Sequence, residues 1–515
     1  MRARLPVAMP IAILLVAAIA HAASVAWPFH VVFKSGVALW PLQILSLAVL
    51  AWCLPSAKSW KQAAALGWLF ATVWLSATFW WLFIALHTYG GLNAILAVIA
   101  VLALAAALGL YYAVACGIYW QLAHSRDKEN SKPMLFAGLW IAAELARSTW
   151  LTGFGWGAVG YAHVDGPLAA YAPLVGVYGM GVLAAWLAMT LASGWRQPHT
   201  SKAVAIAVLV IPFLIPQQAL DWTGANGKLP VTLLQGNIPQ DEKFEAGLGI
   251  PQALQWYGAE LQRTRPGLVV APETAIPLLP QELPEGYWEQ LQSHFFAGQH
   301  AALVGIPLGN YSLGYTNSVI GLAPGMTEPW RYDKHHLVPF GEFIPPLFKW
   351  FIRLMHIPLG DFNRGDVGQP SFAIQGQRLA ANICYEDLFG EELGVRFLDA
   401  ELAPTIFVNV SNIGWFGDSV AIDQHLSISR MRALEFQRPF VRATNTGATV
   451  IIDHAGQVTA SLPRLTRGVL EGEVQGRTGV TPYAWWVARV GLWPWWLAIA
   501  ALVAVAWRRK AQRLL

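Results

Sequence analysis

Long apolar segments alternate with short polar ones over roughly the first 220 residues, and one more apolar segment lies near the end of the chain. We interpret eight of them as membrane spans, at residues 6–26, 36–54, 63–86, 92–122, 134–151, 167–193, 203–220 and 489–507. A helix needs about 20 apolar residues to cross a bilayer. The pattern therefore predicts a multi-pass α-helical membrane domain. The first, second and fifth segments deviate from it, because they contain Pro10, Pro41 and the Glu144–Arg147 pair.

Apart from Lys34, the lysines and arginines in the short connections between these segments and at the two termini lie on alternate sides. Thirteen of them occupy the two termini and three loops, at Arg2, Arg4, Lys58, Lys61, Arg126, Lys128, Lys132, Arg196, Lys202, Arg508, Arg509, Lys510 and Arg513. Because cytoplasmic loops are enriched in Lys and Arg, both termini are predicted to be cytoplasmic and the region between the last two spans to be outside. A cleavable signal peptide, formed by "MRAR", the apolar run and Ala20-His21-Ala22, is an alternative that leaves this region on the same side.

Composition separates the chain into regions. It is 55% hydrophobic and 12% charged, whereas soluble proteins carry about 25% charged residues. From about residue 221 to about 480, however, the composition is that of a soluble domain. We therefore expect a helical membrane domain at 1–220, a soluble domain at 221–485 that is large enough for its own core, and a C-terminal span with a basic tail at 486–515.

Within the soluble domain, short apolar or β-branched runs bounded by turn residues predict strands. They lie at 229–237, 267–274, 301–309, 378–386, 404–412, 439–447 and 448–456. Helical patterns lie between several of them, at 250–263, 287–298 and 424–436. This alternation predicts a layered α/β domain with reactive groups at strand ends.

Three predicted strand ends carry chemically complementary groups: Glu273, Lys334 and Cys384. The thiolate is the reactive form of cysteine, and a nearby ammonium favours it. We therefore interpret Cys384 as a nucleophile, Glu273 as its base, and Lys334 as the cation that stabilises the thiolate and then an oxyanion. The backbone N–H of Tyr385 is a second candidate oxyanion donor. The acids Glu386–Asp387 are expected to orient Lys334 or the substrate.

The alternative for Cys384 is a buried small hydrophobic residue. Cys53 and Cys116 lie in apolar segments, so Cys384 has no cysteine partner within the soluble domain. Exported compartments are oxidising and usually pair structural cysteines. Cysteine usage alone leaves both interpretations open, and the complementary groups at the other strand ends favour the nucleophile.

The sequences around these three residues resemble motifs of the carbon–nitrogen hydrolase (nitrilase) superfamily. The matching stretches are "APETAIP", "YDKHHLVPFGEF" and "NICYEDLF", together with "LLQGNIPQ", "VNVSN", "WFGDS" and "QHLSISRMRALEFQRPFVRATNTG". With seven spans before this domain and one after it, the chain resembles a membrane branch of that superfamily, the apolipoprotein N-acyltransferases of bacterial inner membranes. The resemblance covers essentially the whole chain.

The resemblance implies a multi-pass α-helical membrane domain plus a nitrilase-like α-β-β-α sandwich that faces the periplasm. It implies transfer of an acyl chain from a phospholipid to the α-amine of the lipid-modified N-terminal cysteine of an apolipoprotein. Covalent catalysis splits such a transfer into two easier steps, so we expect a thioester on Cys384. The resemblance assigns base, oxyanion stabiliser and nucleophile to the same three residues, and supporting roles to Glu342, Tyr385 and Glu386.

Two positions depart from the family pattern. Phe244 stands in "DEKFE" where the family often has Trp, and Ile413 stands in "SNIGWFGDS" where an acid is common. The first change keeps an apolar aromatic side chain but loses the indole N–H. The second removes any role for a carboxylate at position 413.

Both expected substrates carry lipid tails, so the site is expected close to the bilayer surface. Residues 340–362, "FGEFIPPLFKWFIRLMHIPLGDF", are rich in apolar and aromatic side chains, and the long cations Lys349 and Arg353 can reach lipid headgroups. We interpret this segment as a mobile arm that guides acyl chains, with a core helix as the alternative. The candidate lipid contacts are Phe244, Phe343, Trp350, Phe351 and Trp415.

Two other functions are considered. A membrane-tethered thiol amidase or nitrilase that uses water as acceptor would carry the same three residues, but the eight spans and the apolar arm argue against it. A transporter usually needs ionisable groups within its spans. Here Glu144 and Arg147 are nearly the only ones, and their spacing allows them to pair on one helix.

No cofactor or metal is expected, because neither a metal-ligand spacing nor a phosphate-binding glycine loop occurs in the sequence. His335 and His336 are adjacent and are interpreted as polar or headgroup contacts. We expect a monomer that binds phospholipid, an apolipoprotein N-terminus and the bilayer, and no nucleic acid.

Overall fold

The computed structural model describes residues 8–123, 132–194, 198–263, 265–310, 312–344 and 362–512. These residues form two compact units. One takes its described residues from Met1–Phe83, Ala94–Asp221 and Val490–Leu515, and the other consists of Ile84–Asn93 and Trp222–Arg489. Each unit is described by itself.

The first unit is helical. Each of the eight predicted apolar segments coincides with a helix: α1 (Ala8–Val25), α2 (Trp40–Cys53), α3 (Trp60–Thr78), α4 (Ala94–Ala123), α5 (Lys132–Thr149), α6 (Ala172–Ser193), α7 (His199–Leu214) and α13 (Trp493–Ala511). Within the described ranges, the helical stretches Ala94–Ala123 and Pro167–Ser193 are long and apolar enough to cross a membrane. A third is counted if Pro482–Val490 and Trp493–Ala511 form one bent span.

The two buried charges of α5 bind the backbone that follows this helix. Glu144 accepts hydrogen bonds from the backbone N–H of Val159 at 3.1 Å and from Trp140 Nε1 at 3.3 Å. Arg147 donates to the carbonyl oxygen of Trp156 at 2.8 Å. Because a buried charge is costly without partners, these contacts explain how α5 accommodates both residues and fixes the glycine-rich turn after it.

The second unit contains two six-stranded sheets. The first has the order β12-β1-β2-β3-β4-β5 and the second β11-β10-β9-β8-β7-β6. The strands are β1 (Thr223–Gln235), β2 (Leu268–Val270), β3 (Ala301–Asn310), β4 (Gly314–Leu322), β5 (Trp330–Asp333), β6 (Phe372–Ile374), β7 (Gln377–Ile383), β8 (Ile406–Ser411), β9 (Phe440–Thr444), β10 (Val450–Ile452), β11 (Val458–Ser461) and β12 (Gly468–Gly479). The helices of this unit are α8 (Gly249–Gln262), α9 (Tyr287–Phe296), α10 (Gly390–Gly394), α11 (Ala421–Phe436) and α12 (Pro482–Val490), with a π-helical turn at Ile84–Tyr89.

The apolar strand sequences are explained by burial on both faces. Along β3, Leu303 packs into the core between the two sheets, whereas Val304 packs into a second core beneath α8 and α9. Successive side chains of a strand point to opposite faces, so a central strand covered on both sides is apolar throughout. On the second sheet, Phe436 of α11 packs against Phe407 of β8 with their ring centroids 5.4 Å apart. Helices therefore cover the outer faces of both sheets.

Strand direction brings the reactive groups to one edge of each sheet. Strands β1, β2 and β3 run parallel, as do β7, β8 and β9. Glu273 follows β2 and Cys384 follows β7, so both lie at the carboxyl ends of parallel strands, where ligands bind in open α/β sheets. Lys334 follows β5. Strand β4 pairs antiparallel with both β3 and β5, so β5 runs in the same direction as β3.

All seven predicted strands and all three predicted helices are present, with shifted ends. The sequence interpretation did not include β4, β6, β11 or β12, and it indicated β5 only as the strand end before Lys334. Strand β12 carries Glu471 and Glu473 on a partly exposed edge, which removes the apolar run that marks the others. The turn at Ile84–Asn93 also groups with the second unit, although it lies between two apolar segments of the first.

Gly305 on β3 gives a test of this packing. A Cβ atom at this position would lie 2.3 Å from the carbonyl oxygen of Pro272 and 2.7 Å from the Cα atom of Glu273. Gly305→Ala is therefore expected to lower the free energy of unfolding by about 1–3 kcal/mol, since overpacking forces the backbone to shift. Thermal unfolding in detergent should show a lower midpoint.

Gly224→Ala is the matched control, because nothing lies within 4 Å of the Cβ it adds on β1 of the same sheet. Its midpoint should stay close to that of the native protein. Equal midpoints for the two variants would contradict the close approach of β3 to the Glu273 backbone.

Candidate active site

Cys384 lies on a sharp turn directly after β7. It begins a short 3₁₀ turn, Cys384–Leu388, and has a left-handed φ of 52°. This conformation is uncommon for residues other than glycine and often marks functional sites. The Cys384 carbonyl accepts hydrogen bonds from Asn409 Nδ2 at 3.0 Å and His425 Nε2 at 3.2 Å. The backbone of the turn is thus fixed, and the cysteine side chain is partly buried against the core between the sheets.

Glu386 joins this turn to the segment that carries Lys334. Its carboxylate accepts hydrogen bonds from the backbone N–H groups of Ile383 at 2.6 Å, His335 at 2.7 Å and His336 at 3.2 Å. Burial raises the pKa of Glu386, although these hydrogen bonds oppose the shift. Glu386 therefore holds the residues next to Lys334 in register with the cysteine turn.

Asp387 faces a different group of residues. Its carboxylate contacts His425 Nε2 at 2.9 Å and accepts a hydrogen bond from Ser429 Oγ. Burial opposes ionisation of Asp387, but His425 and Arg442 outweigh it and hold its pKa below the usual range. The second acid after the cysteine is thus compensated within its own network.

Glu273 and Lys334 share a compact hydrogen-bonded cluster. Lys334 Nζ lies 2.8 Å from Glu342 Oε1 and 3.4 Å from Glu273 Oε1. Asn317 Nδ2 donates to both of these carboxylate oxygens, at 2.7 Å each. The other oxygen of Glu273 accepts the backbone N–H of Asn412 at 2.8 Å. Two strand ends, β2 and β5, are thereby joined to the loop after β8.

This cluster sets the charges of its members. Burial opposes ionisation of Glu273, but the charge of Lys334 and the hydrogen bond from Asn317 keep its pKa below the usual range. Burial also opposes the charge of Lys334, but Glu342 and Glu273 raise its pKa above the usual range. The site therefore holds a carboxylate and an ammonium side by side at neutral pH.

The thiol of Cys384 stays protonated in this environment. Burial, followed by the negative charge of Glu273, raises its pKa to about 12, while Lys334 and a hydrogen bond with Ser411 lower it in part. The charges of Glu273 and Lys334 therefore act on the Cys384 thiol, which places the three side chains predicted from the sequence in one electrostatic environment. The Cys384 thiol is therefore protonated at neutral pH, and forming its thiolate would require a neighbouring base.

Lys243 also reaches this site, and the sequence interpretation missed it. Its side chain is 1% exposed, and its Nζ donates a hydrogen bond to the backbone carbonyl of Glu273 at 3.0 Å. The signal was present in "DEKFE", where this lysine precedes Phe244, but a charge run of this kind is typical of an exposed surface. Asn317 was missed because it lies within a strand that the sequence did not reveal.

The predicted lipid contacts have different surroundings. Phe244 is 47% exposed. Phe343 packs under the guanidinium of Arg364, whose Cζ lies 4.7 Å from the ring centroid. Trp415 is half-buried and meets the ring of Tyr89 edge-on, with centroids 5.9 Å apart. Trp350 and Phe351, and with them most of the predicted arm, lie outside the described residues.

Tyr385 and the adjacent histidines have packing and hydrogen-bonding partners. The Tyr385 ring packs beside His336 and Phe389, with centroid distances of 5.6 and 5.2 Å. His336 Nδ1 contacts Glu392 at 2.9 Å, and His335 Nδ1 contacts a backbone carbonyl at 2.7 Å. Among the described residues, no group of three or more His, Cys, Asp or Glu side chains is arranged to hold a metal ion.

Comparison with known proteins identifies the family. Residues 12–190 match the apolipoprotein N-acyltransferase N-terminal domain, and residues 231–483 match the carbon-nitrogen hydrolase family. The chain is similar to the apolipoprotein N-acyltransferase of Verminephrobacter eiseniae, with 56% identity over 93% of this chain and 92% of that one. It belongs to the apolipoprotein N-acyltransferase family.

Two further relatives in this family have the same extent. The Ralstonia nicotianae protein is 44% identical over 92% of this chain and 90% of its own length. The Bordetella bronchiseptica protein is 40% identical over 92% of both chains. These matches cover both the helical region and the sheet-containing region. They confirm the family resemblance that the sequence motifs indicated.

The pKa of Cys384 gives a test of this site. Below its pKa the thiolate fraction increases about tenfold per pH unit, so alkylation by iodoacetamide should keep accelerating from about pH 7 to about pH 10 without levelling. Lys334→Met should slow alkylation about tenfold or more at each pH, since its ammonium stabilises the thiolate. Both rates are measured by mass spectrometry in a Cys53→Ala, Cys116→Ala background.

Lys228→Met is the control for Lys334→Met, because Lys228 forms an exposed ion pair with Glu473. It should leave the alkylation rate unchanged. A rate that levels off near the pKa of free cysteine, about 8.5, would contradict the environment described for Cys384.

Proposed function

We propose that this protein transfers an acyl chain from a membrane phospholipid, through a thioester on Cys384, to the α-amine of the diacylglyceryl-modified N-terminal cysteine of an apolipoprotein. Membership of the N-acyltransferase family supports the overall reaction. The observation that carries the residue assignment is the convergence of thiol, carboxylate and ammonium at the ends of β7, β2 and β5.

In the first step, the sulfur of Cys384 attacks the carbonyl carbon of a phospholipid ester. The thiol proton passes to the Glu273 carboxylate as the C–S bond forms, because free thiolate is scarce at neutral pH. The Lys334 ammonium stabilises the negative charge that develops on the carbonyl oxygen, with the backbone N–H of Tyr385 as a second donor. The C–O bond then breaks, and the lysophospholipid oxygen takes the proton from Glu273.

In the second step, an unprotonated amine attacks the thioester carbonyl. A C–N bond forms, and Lys334 again stabilises the oxyanion. Glu273 takes a proton from the attacking nitrogen and returns it to the sulfur as the C–S bond breaks. The products are an amide and the free thiol of Cys384, and Glu342 with Asn317 keeps Glu273 and Lys334 in place throughout.

The reaction also requires access to lipid. The alternation of Lys and Arg along the first region supports several membrane spans with cytoplasmic termini, and two or three described helical stretches have the length and apolar character of spans. We place the protein in the bacterial inner membrane, with the unit formed by Ile84–Asn93 and Trp222–Arg489 on the periplasmic side. Phe244, Phe343 and Trp415 are candidate contacts for the acyl chains.

A water-using thiol amidase is not favoured. Such an enzyme needs no helical N-terminal region, whereas the matched relatives share this region together with the hydrolase-like one. An acyltransferase whose donor and acceptor both carry lipid accounts for the presence of the helical and the hydrolase-like regions in one chain.

Mass spectrometry of the intact protein tests the thioester. Protein incubated with phospholipid vesicles should gain the mass of one acyl chain on Cys384, and hydroxylamine should remove it. Addition of a diacylated lipopeptide should remove the adduct and produce an amide-linked acyl chain. Cys384→Ser should gain no hydroxylamine-sensitive adduct.

A Cys53→Ala, Cys116→Ala variant is the matched control, since both cysteines are buried in helices of the first unit and should not take part. A lipopeptide whose α-amine is acetylated should leave the adduct intact. Release of free fatty acid without amide formation would contradict the transferase assignment, and an adduct on another residue would contradict the choice of nucleophile.

A further inference from the structure

The site contains two buried lysines, and their surroundings differ. Lys334 contacts two carboxylates, Glu342 and Glu273. For Lys243, the hydrogen bond to the Glu273 backbone carbonyl is its one contact with an acceptor among the described residues, and no carboxylate there lies within ion-pair distance. An ammonium has three N–H donors and is costly to bury without acceptors. These contacts therefore favour an ammonium at Lys334 and a neutral amine at Lys243.

The electrostatics of Lys243 agree with this geometry. Burial lowers its pKa to about 7, although the charges of Glu273 and Cys384 oppose the shift. These two are the titratable groups from other segments that act on its charge. The remaining charged neighbours lie on its own segment, where Asp241 and Glu245 are exposed and Glu242 is half-buried.

The second step requires the loss of a proton from the α-ammonium group of the acceptor, and Glu273, Lys334 and Cys384 do not provide a base for it. The α-amine of a peptide has a pKa of about 8 and is mostly protonated at neutral pH, so it must lose one proton before it can attack. Glu273 is a weak base because its pKa is lowered, and it is needed for the proton that travels to the sulfur. Both ring nitrogens of His425 are already engaged, Nε2 with Asp387 and the Cys384 carbonyl and Nδ1 with Arg442.

We propose that Lys243 is a second catalytic lysine, which accepts a proton from the α-ammonium of the incoming apolipoprotein. Two protons leave the nitrogen during amide formation. The first passes to the neutral Lys243 amine and frees the lone pair that forms the C–N bond. The second passes through Glu273 to the sulfur as the C–S bond breaks. Lys243 returns its proton to solvent when the amide leaves, so one proton is released per turnover. This role rests on the proposed thioester route.

The test separates the two half-reactions in the full-length protein. Protein is first loaded from phospholipid vesicles, and the thioester is measured by intact mass spectrometry. A diacylated lipopeptide is then added, and amide formation is followed. Lys243→Met and Lys243→Arg should form the thioester at close to the native rate, but aminolysis near pH 7 should slow about tenfold, because only about one α-amine in ten is unprotonated there without a base to deprotonate it.

Hydroxylamine is the second nucleophile in this test, because it is unprotonated at neutral pH. If Lys243 removes a proton from the ammonium, hydroxylamine should cleave the thioester of Lys243→Met as fast as that of the native protein. Below about pH 7, native aminolysis should fall tenfold per pH unit as Lys243 becomes protonated. In Lys243→Met the residual rate should fall with the same slope, but the fall should begin already below about pH 8, the pKa of the free α-amine.

Three results would overturn the proposal. Native-like aminolysis in Lys243→Arg would show that only a positive charge is needed. Equal losses with the lipopeptide and hydroxylamine would show a structural role. Loss of thioester formation in both variants would assign Lys243 to the first step. If the native protein forms no thioester, the route proposed above fails, which is a separate outcome from a failure of Lys243 alone.

Discussion

The buried carboxylate of Glu273 is the constraint around which the site is assembled. A negative charge at this depth is tolerated only with several partners, and it receives Asn317, Lys334 and the Asn412 backbone N–H on its two oxygens. These partners come from β4, from the end of β5 and from the loop after β8. Compensating one charge therefore fixes the relative positions of segments that are far apart in sequence.

The two lysines show how surroundings determine the chemistry of one side-chain type. Lys334 is charged because carboxylates surround it, and it suits the stabilisation of an oxyanion. Lys243 faces a carbonyl dipole instead, so its amine keeps a lone pair for proton transfer. The same buried region thus provides a charged and a basic nitrogen.

The sequence predicted much of this arrangement because its signals are local. Apolar runs of about 20 residues locate helices, and apolar strands followed by Glu273 or Cys384 locate the reactive ends. Asn317 and Lys243 could not be found in the same way. Their importance comes from contacts with residues at least 30 positions away, and the charge run around Lys243 resembles an exposed surface. The role of Glu386 in joining two loops likewise requires the fold.

The turn at Ile84–Asn93 has a consequence for dissecting this protein. It belongs to the sheet-containing unit, where Tyr89 packs edge-on against Trp415 and the side chain of Ile84 approaches Gly417. A recombinant fragment that starts after the helical region would omit these ten residues and leave the Trp415 face uncovered. A fragment intended to contain the sheet-containing unit alone should therefore carry residues 84–93 as a grafted linker. A fragment that begins at residue 221 would lack them.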